Sequence, residues 1–273
     1  MKRKVVLVTG ASSGIGAEIV LEFARNKYKV WATSDKIAGF KPLKQIVKSE
    51  ELLVSFAKID LSKKASIERG YKKIIKQDKF IDVLINNGGY GLVGVVEDTS
   101  VELVKQNFEV NFFSAYHLIR LLLPSMRKRR KGVIVNIGSI DGKYAYPGIG
   151  GYAATKWSIE ALSESLYLEV KKFGIKVLLF EPSSVKTQFR NNRVEVWKSL
   201  RRSAYKHVYL RRKQERKLIS LFDIRPDIVA KRVMESVEDE DPPLRQTIGF
   251  ESWIMTKIRN LLPERLVMWL VRV

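Results

Sequence analysis

The chain has 273 residues, 45% of them hydrophobic and 29% charged, enough apolar material for one large α/β domain and too much for a disordered chain. It contains no cysteine, which excludes disulfide frameworks, thiolate metal sites and cysteine nucleophiles, and its two histidines, His117 and His207, lie too far apart in sequence to suggest a metal. A formal charge of +21 would draw nucleic acid, anionic lipid or acidic ligands without specificity, but a lysine-rich solvated surface is the favoured account of it.

Val5-Val6-Leu7-Val8 is a continuous apolar run, the pattern of a parallel strand buried on both faces. With Met1-Lys2-Arg3-Lys4 before it the start could pass for a signal peptide, but the run breaks at once into Thr9-Gly10, short of the ~7 apolar residues a leader needs. No window approaches the ~18 apolar residues that span a bilayer, so a cytoplasmic chain is expected. The turn Thr9-Gly10-Ala11-Ser12-Ser13-Gly14-Ile15-Gly16 follows and opens a helix. In a strand–turn–helix unit of this kind Gly10 allows the tight turn, Gly14 lets backbone amides approach a pyrophosphate, and Gly16 permits close packing of the helix.

The second strand, Lys29-Val30-Trp31-Ala32-Thr33, ends at Ser34, Asp35 and Lys36, where a dinucleotide's adenosine ribose is expected. A carboxylate there accepts hydrogen bonds from a free 2′-hydroxyl and repels a 2′-phosphate, whereas an arginine does the reverse. Leu53 to Ile59 makes the third strand, and Asp60-Leu61-Ser62 after it suggests a cap for the helical stretch that runs to about Gln77. Ile81 to Ile85 is the fourth strand and ends in Asn86-Asn87-Gly88-Gly89.

A long helical segment runs from Val101 to about Arg130 and contains Asn111, a polar residue that needs a partner if it is buried. Its basic end, Arg127 to Lys131, complements the helix dipole. The strand-like run Gly132 to Gly138 delivers Ser139, whose hydroxyl could hold a carbonyl oxygen at the ligand-facing end of a parallel sheet. Thirteen residues on, Tyr152 and Lys156 sit four apart near the start of a helix and share one face. A free phenol titrates near ~10, so it serves as an acid/base only if something shifts it. A neighbouring ammonium and the positive end of the helix are expected to lower it.

Lys176 to Phe180 is a sixth strand, followed by Glu181-Pro182-Ser183-Ser184-Val185-Lys186-Thr187. The segment 188–225 mixes Phe189, Val194, Trp197, Leu200, Tyr205, Val208 and Tyr209 with many cations, which suggests helices forming a lid over a substrate, although packing of the segment on itself would use the same residues. Asp227 to Val237 is a last framework helix and Gln246 to Gly249 a seventh strand. The tail 250–273 carries Ile254, Ile258, Leu261, Leu266, Trp269 and Leu270 at helical spacing, split by Pro263. It would cover the pocket, pack on a second subunit, or lie on a membrane surface, in that order.

Taken together, the glycine turn after the first strand, Asn87-Gly88-Gly89, Asn111, Ser139 and the Tyr152/Lys156 pair closely resemble the short-chain dehydrogenase/reductase family over about Lys4 to Thr187. The resemblance implies a single-domain Rossmann-type α/β fold, a doubly wound parallel sheet of about seven strands flanked by helices, spanning 1–273. It implies an NAD- or NADP-dependent oxidoreductase with Asn111, Ser139, Tyr152 and Lys156 as catalytic residues. Asn111 would hold a water that links Lys156 to solvent, and Lys156 would also bind the nicotinamide ribose.

The cofactor-binding residues implied are Gly10, Ser12, Ser13, Gly14, Ile15, Gly16, Ser34, Asp35, Asp60, Leu61, Asn87, Gly88, Gly89, Tyr152, Lys156, Pro182, Val185 and Thr187. Asp60 would meet the adenine amino group, and Pro182, Val185 and Thr187 would flank the nicotinamide. Two positions depart from the family's usual pattern: Gly88 stands where alanine is usual, loosening that turn, and Ser183 replaces the glycine after Pro182. Ser34 takes the position of the usual NAD-selecting aspartate and Asp35 that of the usual NADP-selecting arginine, so NAD is slightly favoured.

The expected substrate is a bulky apolar secondary alcohol or ketone of steroid, retinoid or acyl type, as in the hydroxysteroid and retinol dehydrogenase branch. A homodimer or homotetramer and no metal are expected, with specific nucleic-acid binding disfavoured and peripheral membrane contact kept open. The alternative is a cofactor-bound regulatory or nucleic-acid-binding protein on the same fold, suggested by the charge. Sugar-nucleotide epimerases share the Tyr and Lys, but they usually have a GxxGxxG turn and a larger second domain, and this chain has neither.

Overall fold

The computed structural model describes residues 3–199 and 203–271. Seven strands form one parallel sheet: β1 (Val5–Val8), β2 (Lys29–Ser34), β3 (Val54–Lys58), β4 (Val83–Asn86), β6 (Gly132–Ile137), β7 (Ile175–Pro182) and β9 (Arg245–Ile248). Their order across the sheet is β3-β2-β1-β4-β6-β7-β9, so the winding reverses between β1 and β4. A crevice opens at the carboxyl ends of the strands at such a reversal.

The strands are buried on both faces, and alternation decides which core each side chain joins. Val6 and Val8 enter one apolar cluster with Val83, Ile85, Val135 and Leu178. Val5 and Leu7 point the other way and join Leu84, Ile134 and Val177. The first layer is closed by α1 (Gly14–Arg25), α2 (Lys41–Ser49) and α8 (Pro226–Glu238). The second is closed by α3 (Lys64–Asp78), α5 (Ser114–Arg129) and α6 (Gly150–Val170). Helical spacing explains the fit, since Ile19, Val20 and Phe23 of α1 share its buried stripe, as do Leu118, Leu122 and Met126 of α5.

The helix expected from Val101 to about Arg130 is interrupted. It runs as α4 (Val101–Phe108), a π-helical turn over Glu109–Phe113, and then α5. Asn107 and Asn111 flank the start of that turn, and both side-chain amides donate to the Tyr90 carbonyl, at 2.9 and 3.0 Å. One extra residue in the turn lets the two reach the same acceptor, and single π-turns of this kind are frequent at functional sites.

A two-stranded sheet not foreseen from sequence, β5 (Leu92–Val93) with β8 (Val194–Glu195), ties the segment beyond β7 to the loop after β4. That segment continues through α7 (Lys206–Ile219). Leu200 lies outside the described residues. The tail forms α9 (Phe250–Leu261) and α10 (Glu264–Val271), divided at Pro263 as expected. Among the described residues no helix is long and apolar enough to cross a membrane, and no group of three potential metal ligands comes together.

Candidate active site

The carboxyl ends of β1, β2, β4, β6 and β7 surround a cavity of about 1080 Å³. Its wall includes Gly10, Ser12, Ser13, Gly14, Ile15, Ser34, Asp35, Asp60, Leu61, Asn87, Gly88, Gly89, Ser139, Tyr152, Lys156, Pro182, Val185 and Thr187. Of the residues singled out from sequence, Gly16 and Asn111 stand behind that wall.

Gly10 and Gly14 have φ of +61° and +59°, a region in which a side chain is strained. A Cβ on Gly10 would come 2.6 Å from the Gly88 Cα, and one on Gly16 would come 2.4 Å from the Gly10 carbonyl. The turn is therefore as close to the β4 loop as two backbones allow. Thr9 and Asn87 stitch it: Thr9 Oγ1 accepts from the amides of Asn87 and Gly88, both at 3.0 Å, and Asn87 Nδ2 donates to the Thr9 and Gly10 carbonyls. Gly88 keeps this approach tight, since a Cβ there would lie 2.2 Å from Leu61 Cδ1.

The first turn of α1 has no side-chain cap, because the Ser13 side chain makes no hydrogen bond to it. Uncapped amides at a helix N-terminus, a glycine cradle and an adjacent groove fit a pyrophosphate. Ser34 Oγ bonds to Ser12 Oγ at 3.3 Å and to Asp35 Oδ1 at 3.2 Å at the expected ribose end. Asp60 does not cap α3, whose cap residue is Lys63. Its carboxylate accepts from the Ser62 hydroxyl at 2.6 Å and the Ser62 amide at 3.0 Å, and these bonds hold its pKa below the usual carboxylate range.

At the other end of the cavity β6 and α6 bring Ser139, Tyr152 and Lys156 together, each buried. The Ser139 hydroxyl lies near enough to the Tyr152 phenol to lower its pKa, and it accepts from the Asp141 amide at 3.1 Å. Lys156 Nζ donates to the Ile137 carbonyl at 2.8 Å and sits 6.0 Å from the centre of the Tyr152 ring. Asn111 is buried; its Oδ1 accepts from the Tyr90 amide at 3.0 Å and its Nδ2 donates to the Tyr90 carbonyl at 3.0 Å and to Thr155 Oγ1 at 3.1 Å, so both of its N–H donors are taken. The partner demanded of a buried asparagine is thus the β4 loop backbone and α6.

The expected lowering of the Tyr152 pKa is not what this geometry gives. Burial pushes the phenol well up and the charge of Asp141 adds to that, while Ser139 and Arg193 pull it down by less. Desolvation of a phenolate outweighs a cation committed to a backbone carbonyl. Lys156 itself is lowered to about 8, chiefly by burial.

Asp141 was not singled out from sequence, although it stands two residues from Ser139. Half-buried beside the Ser139 and Tyr152 hydroxyls, it faces Arg193 and Arg212, and burial raises its pKa against both. The segment 188–225 lines the cavity less apolarly than expected. Phe189 packs on Tyr152 at 6.0 Å and Val194 and Ile219 reach the wall, but so do Arg190, Asn191, Arg193, Arg212 and Glu215. Trp197, Tyr205, Val208 and Tyr209 pack on one another and on Val95 instead.

A nucleotide cradle and a Ser–Tyr–Lys cluster at the switch point of a doubly wound sheet define a nicotinamide-dependent oxidoreductase that acts on CH–OH groups. The short chain dehydrogenase family matches residues 4–196, and the chain belongs to it. It is 32% identical to the 3-ketodihydrosphingosine reductase of Bacteroides thetaiotaomicron over an alignment of 279 positions, gaps included, covering 100% of this chain and 98% of that protein. With retinol dehydrogenase 8 of Bos taurus it shares 32% over 256 residues, covering 89% of this chain and 80% of the relative. The crystal structure of a short-chain dehydrogenase from Streptomyces avermitilis superposes with a TM-score of 0.85 at 30% identity, covering 98% of this chain and 97% of that one.

Proposed function

We propose that this chain reduces a bulky, largely apolar ketone to a secondary alcohol, with Asn111, Ser139, Tyr152 and Lys156 as the catalytic set. The observation that carries the reading is the cluster of Ser139, Tyr152 and Lys156 on one wall of a cavity whose other end is the glycine cradle. A nicotinamide dinucleotide, held by the turn 10–16, by Ser34 and Asp35, by Asp60 and Leu61, by the 87–89 turn and by Pro182, Val185 and Thr187, supplies or accepts the hydride.

The residues manage the proton. A phenol raised by burial keeps its proton at neutral pH, which suits Tyr152 as the acid that protonates a carbonyl oxygen. Ser139 orients that oxygen, and Phe189 against the Tyr152 ring helps to keep water out. Lys156 spends one of its three donors on Ile137 and has two left for ribose hydroxyls. Oxidation reverses these roles.

NAD is the favoured cofactor, because Asp35 lines the cavity next to Ser34, where a 2′-phosphate would meet a carboxylate. Segment 188–225 acts as the lid. Its arginines, together with Asp141, favour an acyl-type substrate with polar groups near the ketone over a wholly apolar steroid or retinoid. The 3-ketodihydrosphingosine and retinol relatives act on compounds of the broad type proposed. A homodimer or homotetramer through α5 and α6 fits the exposed Tyr116, Trp157 and Leu168 on those helices. The test is a nicotinamide absorbance screen with NADH and NADPH against acyl ketones, steroids, retinoids and small polyols. Turnover on acyl ketones with NADH is expected, and no turnover on any panel refutes the reading.

A further inference from the structure

A helix on a globular protein normally buries its apolar stripe. On α9 the arrangement is turned over. Phe250, Trp253, Ile254, Lys257 and Leu261 fall three or four residues apart on one stripe, and that stripe faces out, with Phe250 at 74%, Trp253 at 52% and Leu261 at 78% exposure. The neighbouring Ser252 is fully buried, so the helix is seated by its more polar side. Leu262 and then Leu266 and Met268 on α10 extend the exposed apolar surface, while Val267 turns inward.

The inward side rests on the loop after Ser139. Val267 and Met255 pack against Ile140, Tyr144 and Tyr146, the Tyr144 hydroxyl donates to the Met255 carbonyl, and Arg259 lies over the rings of Tyr144 and Trp157. Ile140 and Tyr146 also line the cavity. The outward apolar face is thus one side-chain layer from the proposed active site.

Charge decides what fits this face. Lys257 stands in the middle of the stripe and Arg265 beside Leu266, both exposed. Lysine is depleted from the cores of protein–protein interfaces, and a net charge of +21 draws the chain towards anionic surfaces. An anionic bilayer makes both features favourable: rings and leucines enter the boundary between headgroups and acyl chains, while the cations snorkel to the phosphates. We propose that α9 and α10 dock this chain on the surface of an anionic lipid bilayer. A consequence, which rests on the oxidoreductase reading, is that an acyl ketone dissolved in lipid reaches the cavity without crossing water.

Flotation of the full chain with vesicles tests the docking independently of turnover. The chain should float with phosphatidylglycerol/phosphatidylcholine vesicles and bind phosphatidylcholine alone about tenfold less, with salt weakening the anionic case. The double substitution Trp253→Glu with Leu261→Glu should cut bound protein about tenfold or more while its melting curve and turnover on a water-soluble ketone stay unchanged. Should that variant misfold, Lys257→Glu replaces it and should weaken binding to anionic vesicles only, and brominated lipids should quench tryptophan emission of the unmodified chain. Failure of the unmodified chain to float overturns the proposal. So does flotation of the double variant at the original level, or a dimer that Trp253→Glu with Leu261→Glu dissolves when no vesicle binding is seen, which would assign the face to a second copy.

Discussion

Glu160 sits one helical turn beyond Lys156, and its removal as an acid gives a stability test with a definite sign. Its Oε2 accepts from Arg245 at 2.8 Å, and its carboxyl lies beside Glu181, itself fully buried and bonded to Lys143 at 2.5 Å and to Arg245 at 3.2 Å. Burial first, then the charge of Glu181, pushes Glu160 from 4.5 up to about 8, with Arg245 opposing. Glu164 and Lys156 on the same helix are the other charges facing it.

The native state therefore keeps a proton that the unfolded chain releases near pH 4.5. This contribution is fully present below that pH, shrinks as pH rises and is lost through about pH 8. The displacement from 4.5 to about 8 corresponds to at most about 5 kcal/mol at ~1.36 kcal/mol per unit, an upper bound because the proton is shared with Glu181. In Glu160→Gln the amide donates to Glu181 and its oxygen accepts from Arg245 at every pH. Thermal denaturation at several pH values should then show the variant losing less stability than the parent chain between pH ~5 and ~8.5, with a Tm higher at the alkaline end by roughly 2–4 °C for each kcal/mol of that difference. An unchanged slope in the variant refutes the shared-proton reasoning.

Gly10→Ala puts a Cβ 2.6 Å from the Gly88 Cα at a φ of +61°, so a loss of about 1–3 kcal/mol in chemical denaturation and weaker dinucleotide binding in calorimetry are expected; an unaltered midpoint contradicts the close-packed turn. Because the Lys156 pKa is lowered to about 8, its ammonium is lost as pH rises through that value, and cofactor affinity should fall there. Lys156→Arg, charged throughout, should abolish that alkaline limb in a Kd series, and persistence of the limb would assign it elsewhere. Asp35→Arg should move the ratio of kcat/KM values towards NADP by about tenfold or more, and an unmoved ratio removes Asp35 from cofactor selection.

Much of the framework could be read because its signals are local. The four apolar residues of β1 followed by Gly10, the alternation that sends Val6 and Leu7 to opposite cores, and Pro263 between two amphipathic runs each carry their meaning within a few residues. What escaped depends on contacts distant in sequence. The π turn at Glu109–Phe113 has no breaker residue and becomes visible only when Asn107 and Asn111 converge on Tyr90. Two residues of β5 pairing with two of β8 leave no period to detect.

The site divides in the same way. Residue types at fixed spacing placed Ser139, Tyr152 and Lys156 on one wall, but the direction of the Tyr152 shift depends on burial and on Asp141, neither of which the Tyr–Lys spacing reports. The aromatic residues of segment 188–225 were equally compatible with a pocket lining or with packing on Val95, and the tertiary contacts chose the second for most of them.

The most direct measurement is single-turnover reduction by Tyr152→Phe, with dinucleotide Kd measured in parallel. Removing the proton donor while keeping the ring should slow the chemical step by about 10²–10⁴-fold and leave the Kd within about twofold. A variant that reduces ketone at the parent rate would show that the proton comes from elsewhere and that the account of this site is wrong.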